Sequence, residues 1–475
     1  MRKFTIAEIL QATGGSLYCG SAESSILGIA TDSRKAKAGD LFFALKGEVT
    51  DGHLYLDGVL RGGCRSLVVS NPEKIPKEAF LQTSEEPDVI VVEDTTRALQ
   101  DLAAYYLAML PLQHKIAVTG SVGKTSTRDL LYYAIRNHCK SARSMKNFNN
   151  GFGLPLSILE FPPDTEVAVL EMGMDDFGEI ERLADLVRPD IALITNIGIS
   201  HIEKLGSREG ILRAKMEVTT YFTPKDTLIV NADCDLLTPA YTAGDYHLVC
   251  VGSEPQDDFV VSDVRDFGDK GIKYCLRRKD KTYEITSPLP GAHNAGNQAL
   301  VIAAAELLGI TPEEAAVGMQ EAELTGNRLK IRQAGGIKVI DDSYNASPVS
   351  VKSAIETLTA TAGKRKIAIL GDMFELGGES RGAHLAVGAF AGQKNLDLLI
   401  AIGKDAAYYA EGAAAHMDAA KIQYFPDKNE FLTHLPGLLA AGDVVLVKAS
   451  RGMALEEIAD RMLAAQEVAD SEADR

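Results

Sequence analysis

The residues most able to do chemistry stand nine in a row, Thr119-Gly120-Ser121-Val122-Gly123-Lys124-Thr125-Ser126-Thr127. Gly120 and Gly123 let the backbone turn sharply and aim its N–H groups inward, as an anion requires. Lys124 adds a cation with the reach of β- and γ-phosphates, and the Thr125 hydroxyl is a ligand for Mg²⁺. The run Gly120, Ser121, Val122, Gly123, Lys124, Thr125, Ser126 therefore reads as a loop for nucleotide phosphates. The usual spacing carries one more glycine at position 118, which is Val118 here. The loop is a shortened variant.

Such a loop needs a strand before it and a helix after it. The apolar Ile116-Ala117-Val118 supplies the first, and Arg128 to Arg136 has helical character. The start of that helix adds the positive end of its dipole. Further polar residues follow apolar runs in the same manner. Glu171 comes directly after Val167–Leu170; it either holds Mg²⁺, directly or through water, or caps a helix or pairs with a cation. Asn196 and His201 follow Ile191–Ile194, and a lone histidine there is either a site residue or an ordinary surface one. Lys215, on a helix from Arg208 to Thr219, reads by itself as an exposed lysine. Asn294 and Asn297 lie one turn apart at the start of an alanine-rich helix, 292–308. Both amides can face one ligand, or Asn294 can cap the helix. Asp341 and Asp342 end the strand Lys338–Ile340 and either meet a ligand or cap the next helix. Within residues 1–90, Thr31-Asp32-Ser33-Arg34 and Lys46-Gly47-Glu48 with Asp51-Gly52-His53 read as solvated turns.

Around these points strands and helices alternate. Strands are expected at 41–45 and 66–69, then at 116–118, 167–170, 191–194 and 227–230, and in a second series at 338–340, 367–370, 398–401 and 444–447. Helices are expected at 93–110, 177–186, 208–219 and 453–463. Alternation of this kind means parallel sheets covered on both faces, with ligands at the carboxyl ends of the strands. The polar strands of 247–285 suggest an antiparallel appendage, residues 74–88 a surface loop, and 467–475 a frayed acidic tail. At 475 residues, two to three domains are expected. A net charge of −17 argues against nucleic acid or an anionic membrane as partner. Six scattered cysteines without a C-x-x-C pair fit a reduced, cytoplasmic setting. Glu8 interrupts the early apolar stretch, so no signal peptide is expected, and no run approaches the ~20 apolar residues of a membrane span.

Thr119 to Ser126, Thr195-Asn196-Ile197-Gly198-Ile199-Ser200-His201, Gly291-Ala292-His293-Asn294-Ala295-Gly296-Asn297 and Asn327-Arg328-Leu329-Lys330 occur in an order and spacing that resemble the Mur ligases. These are ATP-dependent amide-bond-forming enzymes of bacterial peptidoglycan synthesis. Asn147-Phe148-Asn149-Asn150, the turn Asp341 to Pro348, Gly371 to Gly377 and Val447 to Arg451 look like the branch adding D-alanyl-D-alanine to a UDP-N-acetylmuramoyl-tripeptide. The alternative is the branch adding the third amino acid, whose Asp-Asn-Pro-Arg motif has no counterpart here. The motif at Asn149-Asn150-Gly151-Phe152-Gly153 carries phenylalanine where the family usually has isoleucine.

The resemblance implies a three-domain α/β protein: 1–90 for the UDP-sugar, 91–325 a P-loop-type parallel-sheet ATPase, and 326–475 a Rossmann-like domain closing on the nucleotide. It implies ATP and two Mg²⁺ ions, with Thr125 and Glu171 on one ion and His201 on the second. Lys215 matches a lysine that the family carries as a carbamate, which requires an amine held neutral well below its usual ~10.4. Asn294 would meet adenine, Asp342 the ribose and Arg328 the phosphates. Ser33 and Arg34 become candidates for the UDP-sugar, and Asn149 and Asn150 for the substrate cleft. A monomer is expected, working on small molecules. In the implied reaction a carboxylate takes the γ-phosphoryl group of ATP, and an amine then displaces phosphate. Lys124, Arg328 and Mg²⁺ would neutralise the two anions. A P-loop motor or switch would share the glycine loop, but the strand after it ends in Glu171 and not the usual Asp. A non-catalytic scaffold would have lost Lys124, Thr125, Glu171, His201 and Lys215, all present here.

Overall fold

The chain was described from a computed structural model, covering residues 2–47, 50–76 and 86–473. Among the described residues, a two-stranded antiparallel pair, Phe4–Thr5 with Ser25–Ile26, accompanies three larger α/β sheets that follow one another. The first places Ser16–Cys19, Asp88–Val91, Ser66–Val69, Asp40–Phe43 and Gly28–Ala30 side by side, parallel except for Ser16–Cys19. The second has nine strands. Ser141–Arg143, Val167–Glu171, His114–Thr119, Ile191–Ile194, Thr227–Asn231 and His247–Gly252 run parallel. Phe259–Asp266 continues parallel, and Ile272–Arg278 and Lys281–Ser287 turn antiparallel at the edge. The third orders Lys330–Ala334, Ile337–Asp341, Asp443–Lys448, Arg365–Gly371, Leu398–Ile402 and Ile422–Phe425.

Central strands such as Ile191–Ile194 and Val167–Glu171 are buried at every position. Helices cover both faces of the sheet, so these strands read as unbroken apolar runs and not as alternating ones. On one face lie Lys124–Ile135 and His293–Leu307; the alanines of the latter let its backbone approach closely. On the other face one hydrophobic core runs from Phe4 and Ile9 through the helix Thr95–Met109 to Leu237. The amino-terminal elements are therefore packed into the core of the second sheet, with Phe4 edge-on to Tyr106 at 5.5 Å between centroids.

Three expectations need correction. His247–Gly252 is no appendage, because it extends the central parallel sheet, and antiparallel pairing begins only between Phe259–Asp266 and Ile272–Arg278. The tip of that hairpin reaches the third sheet, where Asp269 pairs with Lys338. The last helix starts at Glu456, after a 3₁₀ turn at Arg451–Met453, and continues to Ala473 instead of ending at Leu463. His53 is buried rather than solvated: its Nε2 accepts the Ser70 N–H at 3.0 Å, which leaves Nδ1 to donate to Asp51 at 2.6 Å. Glu48, and residues 77–85 of the expected surface loop, lie outside the described residues.

Candidate active site

The register of three neighbouring strands assembles the site. Glu171 pairs with Val118, and Ile194 pairs with Thr119. The carboxyl ends of these strands therefore release Gly120–Gly123, the residues after Glu171, and Thr195–His201 at one level, where parallel sheets bind ligands. A crevice of about 630 Å³ opens there, closed on its far side by the third domain. Ser121, Val122, Gly123, Lys124, Thr125, Ser126, Asn149, Glu171, His201, Asn294, Arg328 and Asp342 all line it.

The loop itself depends on its two glycines. Gly120 has φ 144°, and a Cβ there would sit 1.9 Å from the Thr195 hydroxyl. Gly123 has φ 89° and would meet Asn297 at 3.2 Å. From Gly123 the helix Lys124–Ile135 begins without a side-chain cap, and its first turn lines the crevice. Lys124 bends back so that its amine donates to Gly120 O at 2.8 Å and Ser121 O at 3.3 Å. Burial pushes that amine's pKa down; Glu171 opposes the shift and Arg328 reinforces it.

Glu171 is buried and held from two sides. Its Oε1 accepts from Asn149 Nδ2 at 2.9 Å and its Oε2 from Arg128 Nη1 at 3.1 Å. Each oxygen keeps a lone pair, so ion pairing and metal ligation, alternatives in the sequence, are compatible here. Asn149 thus spends its amide on Glu171. Asn150 closes a turn, accepting from Gly153 N at 2.9 Å, and does not line the crevice.

His201 stands at φ 62°, its Nδ1 3.2 Å from Asp175 and 3.0 Å from Glu375 of the third domain. Glu375 is itself left-handed, at φ 63°. Strained non-glycine backbone meeting across a domain boundary marks a place where function constrains geometry. Arg328 lies over the Tyr344 ring at 4.0 Å. Asp342 pairs with the buried Lys448 at 2.5 Å and accepts from Leu329 N at 3.2 Å. Asn294 does not cap its helix: it is the second helical residue, its amide donates to Pro290 O at 2.7 Å, and its oxygen accepts from Asn297 at 3.2 Å.

The reading of Lys215 as exposed is wrong. Its side chain is 2% accessible on the helix Arg208–Met216, and it does not line the crevice. Burial, and secondarily the charge of Lys124, lower its pKa well below the ordinary 10.5. Ser33 and Arg34 are not brought to the crevice. They follow the strand Gly28–Ala30 of the first sheet, and Arg34 is 86% exposed and clamped on Asp32.

Three family models match in succession: the Mur ligase family catalytic domain over 25–107, the Mur ligase middle domain over 118–305, and the Mur ligase glutamate ligase domain over 327–451. The UDP-N-acetylmuramoyl-tripeptide–D-alanyl-D-alanine ligase of Bacillus subtilis is 38% identical across 96% of this chain and 98% of its own. The chain belongs to the Mur ligase family. Among solved structures, MurF from Acinetobacter baumannii superposes with a TM-score of 0.88 at 29% identity, covering 98% of this chain and 99% of that one. MurF ligase from Thermotoga maritima, solved in complex with ADP, gives 0.78 at 27% identity over 92% and 97%. This Mur ligase therefore has the family's three-domain α/β fold. Among its described residues no helix is long and apolar enough to cross a membrane.

Some site residues had a signal in the sequence but no role. Asn196 braces the shortened loop: its Oδ1 accepts Val122 N–H at 3.0 Å, its Nδ2 donates to Val122 O at 2.9 Å, and its carbonyl accepts Ser121 N–H at 2.9 Å. A loop lacking the first glycine is thus held by the next strand's end. Asn196→Ala removes both side-chain bonds and should weaken ADP binding about tenfold, measured by calorimetry, with the fold kept. Unchanged affinity would mean the loop holds its shape alone.

Proposed function

We propose that this Mur ligase joins D-alanyl-D-alanine to the terminal carboxylate of UDP-N-acetylmuramoyl-tripeptide, converting ATP to ADP and phosphate. The observation that carries it is the convergence of Lys124, Glu171, His201 and Arg328 in one crevice between two domains, in a chain alike to the named ligases along nearly its whole length. A carboxylate cannot expel oxide, so it must first take a phosphoryl group, giving an acyl phosphate; the dipeptide amine then attacks the carbonyl and phosphate leaves. In the first step two anions meet. Lys124, the helix start after Gly123 and Arg328 surround the place where charge accumulates, and they are fixed before the reaction starts.

We assign one Mg²⁺ to Thr125 and Glu171 and a second to His201, with a carbamate on Lys215. Bound there, Mg²⁺ would supply charge neutralisation for phosphoryl transfer. The donor set is oxygen-rich, and Glu171 retains lone pairs for it. Asn294 is assigned to adenine, Asp342 to ribose, and Ser33 and Arg34 to the UDP-sugar. The division 1–90, 91–325 and 326–475 follows these tasks. We expect a monomer, supplied with ATP and UDP-sugar from the cytoplasm.

Phosphate release with each co-substrate omitted in turn tests the reading. It is expected only when ATP, UDP-tripeptide and D-alanyl-D-alanine are all present. Release on ATP alone would point to an ATPase, and acceptance of a single amino acid by a UDP-dipeptide would point to the sister activity.

A further inference from the structure

One turn beyond the phosphate loop, two adjacent charged residues are fully buried. Arg128 and Asp129 are both 0% exposed, in a helix whose other inward residues are apolar or hydroxyl-bearing. The Arg128 guanidinium is shared four ways: to Asp129 Oδ1 at 2.6 Å, to Lys146 O at 2.5 Å, to Glu171 Oε2 at 3.1 Å and to Thr325 Oγ1 at 3.0 Å. Asp129 in turn accepts the Thr325 N–H at 2.7 Å on its other oxygen. One threonine is thus gripped through both backbone and side chain by a pair that also grips the acid of the metal site.

Thr325 begins the link into the third domain. Its carbonyl accepts from Arg328 Nη1 at 2.6 Å, and the intervening Gly326 has φ 82°. Leu329, just beyond, is left-handed at φ 48°. Strained backbone of this kind persists only where its surroundings over-determine it. The guanidinium of Arg328 is then set over Tyr344 and close enough to Lys124 to depress its pKa. Asp129 Oδ1 also meets Arg143 Nη1 at 2.9 Å, and a buried ion pair adds little net stability compared with an apolar pair of the same shape.

We propose that Arg128 and Asp129 are positioning residues: through Thr325 they fix Arg328 over the phosphate site in register with Glu171. The loop that binds the nucleotide and the link that carries the third domain's arginine are thereby held by one rigid helix. This rests on the assignment of Arg328 to the nucleotide phosphates.

The test is a double-mutant cycle read by ADP binding in the presence of Mg²⁺, with no turnover involved. Thr325→Val deletes the hydroxyl at nearly constant volume and leaves the N–H to Asp129. It should weaken ADP about tenfold, the value of a hydrogen bond to a charged group. Arg328→Ala should weaken ADP similarly, and adding Thr325→Val to it should cost less than about twofold more, because the threonine acts through the arginine. Thr325→Ser should restore the parent affinity. Asp129→Asn, isosteric but uncharged, carries the same cycle should Thr325→Val not fold. The inference is overturned if Thr325→Val binds ADP within twofold of the parent, if the two losses simply add, or if only the ligand-free melting temperature falls. A parent protein that does not bind ADP, or an Arg328→Ala variant that binds it normally, would instead overturn the reading of the crevice.

Discussion

Replacing Lys124 with alanine is expected to reduce amide formation on the order of a thousandfold or more while leaving the chain folded. The fold should survive because Lys124 is not part of any core. Among the described residues its amine donates only to carbonyls of its own loop, at 2.8 and 3.3 Å, and the glycine turn is set by Thr195 and Asn297 packing on Gly120 and Gly123. Burial lowers the amine's pKa, so part of the free energy of folding is spent on holding it there. That cost has a sign. The neutral form is favoured by folding, so the penalty is full at low pH and disappears as pH rises past the unfolded value of ~10.4. Lys124→Ala should therefore melt no lower than the parent at neutral pH. Phosphoryl transfer would suffer, because one of the two side-chain cations proposed to face the γ-phosphate, Lys124 and Arg328, would be gone. Circular dichroism melting and phosphate release measured on one preparation check both halves. Near-normal turnover by the variant would refute the assignment of Lys124, and loss of the fold would refute the account of the loop.

How much of this could be read from the sequence depended on the range of the interactions. Ile191–Ile194 and Ser66–Val69 are legible to the residue, since a parallel strand covered on both faces is an apolar run and needs no partner to be recognised. The phosphate loop is legible because its chemistry is local. Glu171 and His201 are placed by the strand ends they follow, although their partners are not. Arg128 was opaque: its bonds reach residues 43 and 197 positions away, and a charged residue in a helix reads as solvated unless those partners are known. His53 failed in the same way, its ring nitrogen satisfied by a backbone group 17 residues on. Residues 247–252 were misjudged for another reason. His247–Gly252 has a strand on each side, but its first four positions are exposed or half-buried, so it lacks the unbroken burial that marks the central strands.

Lys215 is where the local reading failed most and where the second large effect is expected. Arg208, Arg213 and Lys215 share one helix, and only packing distinguishes the lysine that is swallowed from the arginines that are not. Burial, and secondarily the charge of Lys124, lower the pKa of this amine well below 10.5, which favours its neutral, nucleophilic form. It can add to CO₂, the N–C bond forming as one C=O π bond yields its electrons to oxygen, with the amine proton released to solvent. The product is an anion, which the cationic surroundings of Lys124 stabilise where they opposed the ammonium. Lys215→Met should therefore have two opposite consequences. Turnover should fall on the order of 100- to 1,000-fold, the loss of a charged group acting on the transition state. Stability at neutral pH should rise relative to uncarbamylated parent, because the variant no longer desolvates an amine. That gain should shrink as pH increases toward ~10.4, where the unfolded lysine is also neutral. Parent turnover should increase with added bicarbonate and fall as acid strips the carbamate, and the native mass should exceed the sequence mass by one CO₂. A Lys215→Met protein with full activity, or a parent indifferent to bicarbonate and carrying no extra mass, would show that this lysine is buried for packing alone.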